Sequence, residues 1–190
     1  MEQSVKAFRT EVAGRTLTFE VGKLAGQADA SVTVRYGDTV VLGTCQMANP
    51  RPGTDFMPLL VEYEEKFYAA GKIKGSRFVK REGKPTDLAI VTSRLIDRSI
   101  RPLFPKGMRD DVQVVTTVLS YDDQHEADIV ALLAASAALA VSRVPWEGPI
   151  GAVRIGRKDG AWVVNPAGAE SESGTLDLVV AATETEAVML

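Results

Sequence analysis

The 190 residues predict an α+β domain, a mixed sheet with its helices on one face. Short runs of alternating apolar and polar residues recur along most of the chain, bounded by Gly, Asp and Pro. Helical periodicity is confined to two stretches, and one of these is apolar nearly all round, the mark of a helix covered on every side. With 45% hydrophobic residues, the chain can bury one good core.

Phe8–Val12 and Thr16–Val21 alternate around Ala13-Gly14-Arg15 and read as a hairpin. Ser31–Tyr36 alternates as well, and Gly37-Asp38 turns the chain into Thr39–Gln46. Asn49-Pro50-Arg51-Pro52-Gly53 is a loop, and Leu59–Glu65 is a strand. A helix follows over Thr86–Ile100: Pro85 and Thr86 suit its start and Pro102 stops it. At 100° per residue Leu88, Val91 and Leu95 form its apolar stripe. Val112–Ser120 is a strand, and the second helix runs over Ala127–Ser142, rich in alanine and expected in the core. Ile150–Ile155, Ala161–Val164, Leu176–Ala182 and Ala187–Leu190 complete the strands. No internal repeat is visible.

Several classes are excluded. The single cysteine, Cys45, permits no internal disulfide and fits a reducing, cytoplasmic setting. The N-terminus has no signal-peptide pattern, and the longest apolar run, Ile129–Val141, is too short to span a bilayer. One His and one Cys leave no zinc site of ordinary spacing, and no metal ligand is assigned. His125, at a helix start among acids, reads as a surface residue.

The charge is unevenly placed. Residues 66–109 hold 12 of the 22 Lys and Arg but only 3 of the 25 acids. A basic segment in an otherwise acidic chain points to an anionic partner, phosphate or nucleic acid. Its first part, Ala69–Pro85, is a glycine-broken loop in which Arg77, Lys80, Arg81 and Lys84 surround Phe78. Cations neutralise phosphates while an aromatic ring stacks on an unpaired base. In the helix, Arg94, Arg98 and Arg101 stand at i, i+4 and i+7 in a narrow arc, with Asp97 placed to pair with Arg101.

Phe78-Val79-Lys80-Arg81-Glu82-Gly83-Lys84-Pro85, followed by Arg94-Leu95-Ile96-Asp97-Arg98-Ser99-Ile100-Arg101-Pro102-Leu103-Phe104-Pro105, resembles the signature region of the polynucleotide phosphorylase (polyribonucleotide nucleotidyltransferase) family. The resemblance runs over essentially all 190 residues. Val79 stands where the family loop has a second Phe, and Lys80 and Lys84 stand where it has Arg. The resemblance implies a ribonuclease PH-like domain, related to the βαβ fold of ribosomal protein S5 domain 2, and the first of two such halves. The C-terminal end would then be truncated, with the helical connector, the second half and the KH and S1 domains absent. It further implies a reversible, phosphate-dependent 3′-to-5′ exoribonuclease in mRNA degradation, with Mg²⁺ and inorganic phosphate serving the full-length enzyme and none bound by this part. Single-stranded RNA, a homotrimeric ring and an RNA-degradation complex are the partners implied.

The family's chemistry lies in its second half, in a Gly-Ser-Ser-Ser type loop and two aspartates six residues apart. Here His125-Glu126-Ala127-Asp128 precedes the apolar helix, and Ser171, between Glu170 and Glu172, stands six residues before Asp177. Asp177 is the catalytic candidate that this comparison leaves. The sequence therefore predicts a half that guides RNA without carrying the reaction. The alternatives are a pure RNA-binding module, a single-half ribonuclease PH trimming tRNA 3′ ends, and an unrelated ribosome-associated domain.

Overall fold

A computed structural model describes residues 5–73, 75, 83–168 and 174–190. Strands β1 (Lys6–Val12) and β2 (Arg15–Val21) form the hairpin. Its turn residues Ala13 and Gly14 have φ of 51° and 73°, the left-handed pair that fits a two-residue turn to the twist of its strands. β3 (Ala30–Tyr36) and β4 (Thr39–Ala48) join through Gly37, with φ of 62°. A Cβ on Gly37 would stand 2.7 Å from the Asp122 carboxylate and 2.8 Å from His125 Nδ1, so no side chain fits there.

These strands belong to a six-stranded sheet ordered β1-β2-β3-β4-β6-β5, with β5 at Leu59–Glu64 and β6 at Asp111–Ser120. Every pair is antiparallel except β5 with β6. A parallel pair needs a crossover, and the crossover here contains α1 (Asp87–Ile100). The basic segment is thus the connection of a β-α-β unit. One side of it must cover the sheet, and the other is left open.

Thr86 caps α1: its Oγ1 accepts from Ala89 N at 3.0 Å and donates to Glu65 Oε2 at 2.8 Å. The helix buries Ala89, Thr92, Ile96, Ser99 and Ile100. The expected stripe of Leu88, Val91 and Leu95 is not that face. Leu88 and Val91 are 65% and 61% exposed, and Leu95 is partly buried. The helix turns Ile96 and Ile100 into the core and lies against β5 through the smaller Ala89, Thr92 and Ser99, while Ser99 Oγ donates back to Leu95 O at 2.8 Å.

α2 (Ala127–Ala140) is buried almost throughout because it packs between two sheets. On one side a Cβ on Gly43 would lie 2.5 Å from Ala134 O, so the helix backbone presses directly on β4. On the other is an antiparallel four-stranded sheet ordered β10-β9-β7-β8: β7 (Gly151–Lys158), β8 (Ala161–Val164), β9 (Asp177–Ala182) and β10 (Ala187–Met189). Ser136 Oγ joins α2 to the start of this sheet, donating to Ile150 O at 2.8 Å and accepting from Ile150 N at 2.9 Å. The α+β class and the mixed sheet with its two helices agree with the sequence reading. The second sheet is an addition to it. Among the described residues no helix is long and apolar enough to cross a membrane.

Candidate nucleic-acid interface

The crossover leaves β5 through a short 3₁₀ turn, Phe67–Ala70. Tyr121 N donates to Ala69 O at 3.0 Å, and Lys72 N to Phe67 O at 2.9 Å, so the outgoing limb is fastened to the end of β6. The Thr86–Glu65 hydrogen bond fastens the returning limb. Lys84 is exposed on it. Arg77, Phe78, Lys80 and Arg81 lie outside the described residues.

Arg94, Arg98 and Arg101 all face solvent on the open side of α1. Arg101 lies just past the end of α1, seven residue steps from Arg94, about 10 Å of rise. Asp97 holds Arg101 through Nε at 3.1 Å and an Nη at 2.6 Å, the pairing that the spacing foretold. Among the described residues, Arg94 and Arg98 have no carboxylate partner. Their positive charge is uncompensated and available to a phosphate chain.

The neighbouring pocket sets three carboxylates against two cations, Lys66 and Arg154. It has a volume of about 460 Å³ and is lined by Tyr63, Glu65, Tyr121, Glu126, Asp128 and Arg154, among others. Arg154, on β7 and nearly buried, reaches Asp128 Oδ2 at 2.6 Å and both carboxylate oxygens of Asp177 at 2.5 and 2.7 Å. Burial opposes charge on Arg154, but Asp128 and Asp177 outweigh it and raise its pKa. Burial, then the charge of Asp128, pushes the Glu126 carboxyl up. Burial also raises Tyr63 and Tyr121.

This pocket does not fit a divalent cation. A guanidinium already bridges the two aspartates, and among the described residues no group of three His, Cys, Asp or Glu is placed to hold a metal. Nor does the start of α2 offer hydroxyls to a phosphate: Glu126 and Asp128 stand there instead. Asp177, the catalytic candidate, is an ion-pair partner on an exposed strand end. Glu170, Ser171 and Glu172 lie outside the described residues.

His125 is not at the surface; it is 4% exposed. Its Nδ1 meets Asp122 Oδ2 at 2.6 Å, its Nε2 accepts from Arg15, and its ring lies edge-on to Tyr36. An arginine donor at Nε2 leaves the ring proton on Nδ1, facing Asp122. Burial disfavours the Asp122 charge, but hydrogen bonds from His125 and from the N–H groups of Gln124, His125 and Asp38 hold its carboxyl well below the usual range. The cluster ties the hairpin and the β3–β4 turn to α2. Cys45 is fully buried, and burial pushes its thiol up to about 11, which makes it unreactive.

Sequence reasoning missed Arg154. Its signal was available: a charged residue on the inward side of β7, two residues after the buried Ala152.

Residues 13–145 match the model of the 3′ exoribonuclease family, domain 1. The chain belongs to the 3′ exoribonuclease family. Its curated relatives include the polyribonucleotide nucleotidyltransferases of Heliobacterium modesticaldum, 56% identical over 98% of this chain and 26% of that protein, and Hyphomonas neptunium, 58% identical over 95% and 25%. The resemblance read from the sequence is therefore borne out. The chain spans about a quarter of the length of these relatives. Among solved structures, rice Rrp46 matches with a TM-score of 0.71 at 15% identity, covering 98% of this chain and 79% of that one, which shows the fold. In this family member, then, Arg94 and Arg98 of the crossover have no carboxylate partner among the described residues, while Asp128 and Asp177 nearby are bridged by Arg154.

Proposed function

We propose that this chain is the RNA-guiding N-terminal part of a phosphorolytic 3′-to-5′ exoribonuclease, a polyribonucleotide nucleotidyltransferase that acts in cytoplasmic mRNA degradation. The observation that carries the reading is the contrast between two adjacent regions. Arg94 and Arg98 present exposed charge with no carboxylate partner among the described residues, whereas Arg154, lining the acidic pocket, bridges Asp128 and Asp177. The first suits a single strand sliding along its phosphates. The second offers no carboxylate pair for Mg²⁺ and no cradle for the attacking phosphate. Both would be engaged elsewhere in the longer protein, where phosphate cleaves the terminal linkage and releases a nucleoside diphosphate. A homotrimeric ring would bring three copies of the basic crossover to one RNA, and a wider RNA-degradation complex would be built on it.

The test is nucleoside diphosphate release from a short poly(A) RNA with phosphate and Mg²⁺ present, comparing residues 1–190 with the full-length product. No turnover by residues 1–190 beside clear turnover by the longer protein is expected. Turnover by this chain alone would contradict the reading and favour a single-half, ribonuclease PH-like enzyme.

A further inference from the structure

We infer that the groove at the β5 edge of the six-stranded sheet is a base-binding subsite for single-stranded RNA, with Phe56 as its stacking ring. The inference rests on the RNA-guiding function proposed above and extends it to a site on the other side of the sheet edge from the acidic pocket.

The groove has a volume of about 690 Å³. Its floor is a row across three strands. Register sets Gln46 of β4 and Leu60 of β5 on either side of Gln113 of β6, and all three are exposed. One wall is the 49–58 loop, which carries Arg51 and a Phe56 that is 62% exposed. Arg101 forms the other wall, its guanidinium reaching Leu59 O at 3.4 Å.

Each part suits a nucleotide. The phenyl face stacks on any base. The two carboxamides offer donors and acceptors to base edges, as single-stranded RNA readers do on open sheet faces. Arg51 and Arg101 are steadied by Asp111 and Asp97, yet their side chains remain 71% and 46% exposed, so N–H groups are left for phosphate. Arg101 belongs to both regions: it ends the arginine row of α1 and lines the groove. A strand tracking Arg94 and Arg98 therefore arrives at Phe56.

The experiment measures binding of a labelled oligo(A) by fluorescence anisotropy across a salt series. Phe56→Ala is expected to bind roughly 5- to 100-fold more weakly, the loss of one stacked base, with the salt slope unchanged because no charge is removed. Phe56→Trp should retain affinity. Phe56 is exposed, so the variants should fold, and equal melting temperatures check this. Wild-type affinity in Phe56→Ala would overturn the inference. So would unchanged affinity together with a changed mass by light scattering, which would make the groove a contact between copies. A separate Arg94→Ala/Arg98→Ala variant distinguishes the failures. If that variant loses RNA while Phe56→Ala does not, only the subsite is wrong. If neither variant changes binding, the RNA-guiding reading falls as well.

Discussion

Arg154 grips Asp177 through both carboxylate oxygens, at 2.5 and 2.7 Å, while its other terminal nitrogen reaches Asp128 at 2.6 Å. The aspartate that sequence comparison nominates for chemistry is therefore part of a cross-brace between β9, β7 and α2. A positive side chain sits where these carboxylates would otherwise converge on a cation.

Replacing Arg154 with Met should destabilise the domain by about 2 kcal/mol. Removing one partner of a buried pair costs about 3–5 kcal/mol, and the half-exposed Asp177 reduces the loss. Urea unfolding monitored by circular dichroism reads the shift in midpoint.

The two perturbed carboxyls near the start of α2 should respond to acid with opposite signs. The folded-state pKa of Asp122 is depressed, so its contribution is complete above the usual carboxylate range and is lost as pH falls through the folded value. Asp122→Asn should cost about 2 kcal/mol at pH 7, with the difference from wild type shrinking in acid. The folded-state pKa of Glu126 is raised, so its charge opposes folding at neutral pH, and protonation relieves this as pH falls. Glu126→Gln should be slightly stabilising at pH 7 and neutral in acid. Thermal melts of both variants across pH 3–7 check the pair of signs.

On α1 the buried face is set by Ile96 and Ile100 with the smaller Ala89, Thr92 and Ser99, not by the expected apolar stripe. Ile96→Ala should cost about 3 kcal/mol. Val91→Ser should stay within about 0.5 kcal/mol of wild type, because Val91 faces solvent. Chemical denaturation of the two variants separates the assignments.

The strands were legible because their signals are local: alternation of period two, and turn residues such as Ala13-Gly14 and Gly37. The helix limits were legible for the same reason, through Thr86 and Pro102. What was missed depends on distant partners. The inward face of α1 is read only once β5 is known to lie beneath it, because Ala89, Thr92 and Ser99 are not conspicuously apolar. His125 looks like a surface residue until Arg15, 110 positions away, is seen at its Nε2. Arg154 likewise acquires meaning only when α2 and β9 bring Asp128 and Asp177 to it. The arginine row was legible because one helix carries it whole.

The most direct test of the account is the salt dependence of single-stranded RNA binding by wild type and by Arg94→Ala/Arg98→Ala. If these side chains hold phosphates, the slope of log K against log salt should become shallower by about 1.4 units, with affinity falling alike for unrelated sequences. An unchanged slope and affinity would contradict the claim that the open face of α1 guides RNA.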